Sequence, residues 1–197
     1  MKTSRETTAR NRAKILGIAG QLFRERGLDG VSVAEIMASA GLTHGGFYRY
    51  FASKEALAAE ACSLVAQQTE TDWHTARDTD AEDGLAVLLS RYLTAEHRDS
   101  AATGCIYAAL GCEVGRSSDD MLHQIFAEGL EGLLGILTEA SPEPSATERR
   151  RAAIGRLSSL AGALMLARAT KGTELSDQIL AETRHWLESI QTPPPTP

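Results

Sequence analysis

Apolar residues recur along the chain at spacings of three and four, and short polar or glycine-containing breaks separate the runs, so the sequence reads as helices throughout. The first run sets Ile15, Ile18, Ala19, Leu22 and Phe23 on one stripe of a helix from about Thr8 to Arg26. Gly27 is suited to a left-handed cap at its end. Ser32 and Glu35 form a capping box for a short helix whose buried stripe is Val33, Ile36, Met37 and Ala40, ending at Gly41. Thr43 can cap a third helix, in which Phe47 and Phe51 lie one turn apart and face the core. Ser53 caps a fourth, from Lys54 to about Arg77, with Leu57, Ala61, Leu64 and Val65 inward.

Beyond a charged loop from Asp78 to Gly84, the spacing predicts helices over about Leu85–Arg98, Cys105–Arg116 and Asp119–Glu139. A second capping box, Ser145 to Glu148, opens a helix to about Lys171, and a last one spans Leu175–Ile190. The expectation is an all-α fold of about nine helices. Residues 1–53 form a three-helix head, 54–192 a helical ligand-binding and dimerisation domain, and 193–197 a disordered proline-rich tail. The helix that starts near Thr147 is apolar almost all round between Leu157 and Ala167, and a helix without a polar face must be covered on every side. A second subunit is the expected cover.

Two short helices joined by a turn at Gly41 are the geometry of a helix-turn-helix, whose second helix enters the major groove of DNA. Charge sharpens this. The net charge of −6 over 197 residues argues against non-specific nucleic-acid binding by the whole chain, but residues 1–54 carry +5 and the remainder −11. Within the second helix, His44, Arg49 and Tyr50 can reach bases or phosphates, and Tyr48 can donate its hydroxyl to a phosphate. Lys54 sits at a helix start, where the dipole and unpaired amides also favour an anion. Gly45 and Gly46 are poor helix formers; either DNA comes close there, or the first turn is frayed. Arg10, Arg12, Arg24 and Arg26 lie off the apolar stripe and read as a solvated face.

Gly41 to Leu57, GLTHGGFYRYFASKEAL, together with the upstream segment from Gly27 to Ile36, resembles the signature of TetR/AcrR-type transcriptional regulators. Gly46 departs from it, since the family usually has serine or threonine there. The resemblance implies a repressor that binds a double-stranded, pseudo-palindromic operator as a homodimer, with the last two helices pairing as a four-helix bundle. It also implies that Ser32, Thr43, Tyr48 and Lys54 hold phosphates while His44, Arg49 and Tyr50 read bases, close to Gly45 and Gly46.

A small-molecule inducer would enter the C-terminal domain. Cys105 and Cys112 share a helix face, and Ala108 and Ala109 between them leave little bulk, so that face could border a cavity. Tyr92 and Phe126 are candidate lining residues, and Arg168 is a candidate cation beside Cys105. The stretch from Gly104 to Met121 is similar to one in an electrophile-sensing member of the family, which implies Cys105 as a reactive thiol. The other reading is that Cys105 and Cys112 are small core residues, as Cys62 is read to be. Three cysteines do not make a disulfide framework, and no run is apolar enough for a membrane span, so the protein is read as cytoplasmic. No cofactor fingerprint, metal-ligand pair or catalytic motif appears. The alternative function is a thiol-dependent helical enzyme with Cys105 as nucleophile, which leaves the basic head without a purpose.

Overall fold

In a computed structural model, which describes residues 5–78 and 84–190, every regular element is helical. The fold is all-α. The described residues form two compact units, one of residues 5–68 with 101–127 and the other of 69–78 with 84–100 and 128–190.

In the first unit, α1 (Arg5–Arg26) packs on α2 (Val33–Ser39) and on α6 (Ile106–Val114). Ile15, Ala19 and Phe23 of α1 meet Ile36 and Met37 of α2 in a fully buried core. Gly27 (φ +80°) ends α1 and Gly41 (φ +70°) turns the chain after α2, both in the left-handed region that a side chain disfavours. The capping box is present: Ser32 Oγ accepts from the Glu35 amide, and the Glu35 carboxylate accepts from the Ser32 amide. The segment after Gly41 is a six-residue 3-10 helix, His44–Arg49, and not the expected α-helix. Two adjacent glycines and so short a run leave too little to drive α-helical propagation. The helix α3 (Lys54–Asp78) follows and leaves this unit after Gln68. Leu64, expected inward, is 43% exposed.

In the second unit, α4 (Gly84–Tyr92) and α5 (Ala95–Asp99) replace the single helix expected over Leu85–Arg98. Thr94 breaks it by capping α5, its hydroxyl accepting from the His97 amide. The helix α7 (Asp120–Glu139) crosses from the first unit into the second, and α8 (Ala146–Ala169) follows with its Ser145–Glu148 capping box. A turn at Gly172 leads into α9 (Glu174–Ser189), which packs on α8. Leu157, Leu160 and Leu164 of α8 are buried with Leu180 and Leu187 of α9. On the outer face, Ile154, Met165 and Leu166 of α8 and Leu175 and Trp186 of α9 remain open, as does Ile190. Arg156 is 1% exposed; it donates to Ser141 Oγ (2.8 Å) and pairs with Glu143 (2.6 Å), tying down the segment between α7 and α8. Most of the charged loop after Asp78 and the proline-rich tail lie outside the described residues.

Candidate nucleic-acid interface

The reading turn His44–Arg49 hangs on its aromatic side chains. Phe47 is buried, stacks on Phe51 (centroids 5.8 Å apart, planes at 29°) and meets the edge of Tyr48 (5.3 Å). Thr43 stands at the N-cap with extended backbone (φ −79°, ψ 144°), but its side chain makes no capping hydrogen bond, contrary to the expected cap. A 3-10 helix has three residues per turn, so Tyr48 stands over Gly45 and Arg49 over Gly46. Tyr48 is 74% exposed; His44, Gly45 and Arg49 are exposed as well, and Gly46 and Tyr50 are half-buried. A Cβ built on Gly45 would meet nothing within 4 Å, and one on Gly46 would make only ordinary contacts, at 3.6 Å from Thr43 Oγ1 and 3.8 Å from Met37 Cε. The protein itself therefore does not require glycine at either position. Lys54 is the first residue of α3, and Ser53 caps that helix, its Oγ accepting from the Ala56 amide (3.2 Å).

One face of α1 grips this turn. Asn11 Nδ2 donates to the Tyr50 hydroxyl (3.2 Å), the Arg12 guanidinium lies 4.7 Å over the Phe51 ring, and Lys14 Nζ donates to the Ala40 carbonyl (2.7 Å) at the end of α2. Arg12 also pairs with Glu60, Arg26 pairs with Glu35 (3.0 Å), and Arg24 donates to the Gly104 carbonyl (3.1 Å). Of the four arginines read as a solvated face, Arg12 and Arg24 are thus engaged in packing, while Arg26 stays exposed in its pair with Glu35. Asn11 and Lys14 escaped the sequence reading because they sit beside the apolar stripe; their i,i+3 spacing along its flank was the available signal. Ser32 is exposed, and its hydroxyl is held by the Glu35 carboxylate. The Ser32 amide and hydroxyl, with Arg26, bring the Glu35 carboxyl down to about 2.

The candidate sensor residues fall in both units. Cys105 is buried at the N-cap of α6 with no side-chain capping bond, Ala109 is half-buried, and Cys112 is exposed. Phe126 packs edge-on against Tyr107 (5.4 Å) in the same unit. Tyr92 and Arg168 belong to the other. Tyr92 sits between Trp73 (5.8 Å) and His97 (4.6 Å), and Arg168 donates to the carbonyls of His97 (3.0 Å) and Arg98 (3.2 Å). Cys62 is buried, and that burial pushes its thiol up to about 12 against the opposing charge of Arg24. The α6 helix is fastened to the end of α1 at two points. Arg24 holds the carbonyl of Gly104 just before it, and Glu113 Oε2 near its end accepts from the Leu28 amide (2.7 Å). Among the described residues, no group of three His, Cys, Asp or Glu side chains is placed to hold a metal, and no helix is long and apolar enough to cross a membrane.

A sequence profile of the tetR family of bacterial regulatory proteins matches residues 15–61, the span from the α1 core stripe into α3. The HTH-type transcriptional repressor NemR of Escherichia coli K12 is 26% identical over 140 residues, 70% of each chain. The HTH-type transcriptional repressor KstR2 of Mycobacterium tuberculosis H37Rv is 36% identical over 80 residues, 41% of this chain and 38% of that one. The crystal structure of reduced E. coli NemR superposes with a TM-score of 0.80 at 22% identity, over 95% of this chain and all of that one. A TetR-family regulator from Cytophaga hutchinsonii superposes at 0.76 and 20%, over 95% and 98%. The head that the profile matches is the one braced by α1, and the neighbours share the fold of the C-terminal helices as well: residues 15–61 form a DNA-binding head of the tetR type, on a chain with the all-α fold of TetR-family regulators.

Proposed function

We propose that the protein is a homodimeric repressor whose two heads dock in successive major grooves of a pseudo-palindromic operator, about 34 Å apart. It would act in the cytoplasm and release the operator when a signal reaches the C-terminal helices. Tyr48 and Lys54 hold phosphates, and Arg49 and His44 reach base edges. The observation that carries this reading is the reading turn itself: two long side chains stand exposed over two glycines, next to a lysine at the start of α3. Ser32 and Thr43 would contribute at the margin, Ser32 through a hydroxyl already turned toward Glu35.

The dimer forms through the open face of α8 and α9, where Ile154, Leu166, Leu175, Trp186 and Ile190 are about half-exposed in the single chain. The inducer is an apolar small molecule or an electrophile that modifies Cys105, with Ala109, Cys112 and Phe126 of the same unit as candidate surroundings; Tyr92 and Arg168 are candidates in the other unit. NemR and KstR2, the relatives named above, support the repressor reading.

The test of the head is a salt titration on a duplex selected by the wild-type protein. Lys54→Ala is expected to weaken binding to all sequences and to flatten the slope of log K against log salt by about one unit. Arg49→Ala is expected to relax base preference instead. An unchanged slope for Lys54→Ala removes the phosphate role. For the signal, the protein–operator complex is treated with an alkylating electrophile before and after Cys105→Ser; release that survives the substitution removes Cys105 as the sensor.

A further inference from the structure

We propose that Asn11 is a positioning residue for DNA recognition: its amide nitrogen donates to the Tyr50 hydroxyl oxygen and turns the Tyr50 O–H outward as a phosphate donor. Tyr50 is then a clamp on the DNA backbone and not a base reader. The inference rests on the DNA-contact role of the reading turn given above.

The geometry starts from the donor inventory. A phenol oxygen accepts through its lone pairs and carries a single proton, while the amide nitrogen of asparagine only donates. Asn11 Nδ2 lies 3.2 Å from Tyr50 Oη, so that contact uses a lone pair of the phenol and leaves its proton for another acceptor. The proton cannot point back along the same line, because the amide hydrogen is already there. It therefore swings away from α1. A phosphate oxygen accepts such a proton with no selection among bases, whereas a base edge asks for a donor or an acceptor according to sequence.

Tyr50 is also held where such a clamp is useful. Its amide closes the reading turn on the Phe47 carbonyl (2.8 Å), and its side chain is half-buried, so little of the ring is free to sample other directions. Asn11 is the first of three polar residues on one stretch of α1 that fix the head's geometry. Arg12 covers the Phe51 ring next to Tyr50, and Lys14 holds the Ala40 carbonyl at the other end of the turn. Arg12 and Lys14 fix the position of the turn. Asn11 reaches a functional group, and that difference makes its contribution separable.

The experiment uses the full-length protein, a duplex it selects from a random library, and every single-base variant of that duplex. Binding is measured for wild type, Asn11→Ala, Tyr50→Phe and the double variant, with thermal midpoints alongside. Tyr50→Phe is expected to weaken binding to all duplexes by the same factor, about tenfold for a lost hydrogen bond to a charged group. Asn11→Ala is expected to weaken them uniformly as well, by less. In the Tyr50→Phe background the Asn11 substitution should have no further effect, because the hydroxyl it positions is gone. A merely structural Asn11 would lower affinity equally in both backgrounds. That additivity overturns the proposal, as does a Tyr50→Phe variant that binds as wild type or relaxes preference at one base pair. A wild-type protein that selects no duplex at all overturns the DNA-contact reading beneath it, and the two failures are therefore distinct.

Discussion

Placing an alanine at Gly27 tests how the head is fastened to α6. Gly27 has φ +80°, and a Cβ there would lie 2.4 Å from Glu113 Oε1 and 3.0 Å from its Cδ. Two costs follow. A side chain in the left-handed region costs about 1–2 kcal/mol. The Glu113 carboxylate must also swing aside and give up the Leu28 amide (2.7 Å), a charge-assisted bond that typically contributes about 1.5–3 kcal/mol. Gly27→Ala is therefore expected to destabilise the protein by about 3–5 kcal/mol. Once Glu113→Ala has emptied the space, the same substitution should cost only the backbone strain, about 1–2 kcal/mol. The assay is urea unfolding followed by circular dichroism at fixed protein concentration, for wild type, both single variants and the double variant. An equal cost of Gly27→Ala with and without Glu113 would refute the claim that the carboxylate fills the space.

Four further outcomes follow from the geometry. Arg156→Ala removes a buried side chain and its bonds to Ser141 and Glu143 but leaves the part-exposed Glu143 carboxylate to water, so it should cost about 1–3 kcal/mol in thermal unfolding. Burial works to raise the Glu143 pKa, but hydrogen bonds from Arg156 bring it net below 4.5. A lowered folded pKa gives stability that is present above the unfolded value and lost as pH falls through the folded one, so Glu143→Gln should flatten the acid side of a melting-temperature profile; an unchanged profile counts against the pair. In native protein, mass spectrometry should find Cys112 alkylated before Cys62, whose thiol, pushed to about 12 by burial, stays protected until unfolding. Equal rates at Cys62 and Cys112 would show that the buried site opens readily. Trp186→Asp, at a position 51% exposed, should leave the melting of the single chain nearly unchanged while turning a dimer into monomers by sedimentation; a dimer that persists moves the interface elsewhere.

The helices were legible because their signals are local. Ser32 with Glu35 and Ser145 with Glu148 cap the helices that their spacing announces, and Gly27 and Gly41 take the left-handed angles that their places imply. The apolar stripe of α1 fixes what is buried, since an amphipathic helix has one face to hide. What escaped depends on contacts far apart in sequence. Nothing in the local pattern says that Glu113 reaches Leu28, that Asn11 reaches Tyr50, or that Arg24 holds the carbonyl before Cys105. Polar side chains outside an apolar stripe look alike until the partner helix is in place. The 3-10 geometry of the reading turn was missed for a related reason: a Phe47–Phe51 pair suits an α-helix, and the choice between helix types turns on a few hydrogen bonds that composition barely influences. Thr94 was a capping residue in plain view, overlooked because the apolar spacing runs on past it.

The open space around Gly45 carries a consequence for anyone improving this protein. Alanine at that position would meet no group within 4 Å beyond its chain neighbours and would restrict the unfolded chain, stabilising by about 0.4–1 kcal/mol. A screen that rewards only heat resistance would find Gly45→Ala early and keep it. If the bare backbone at this point is what lets the turn settle on DNA, the same variant would melt later and repress less. Stability at this position would then be limited by how near the turn must come to DNA, and not by anything inside the fold.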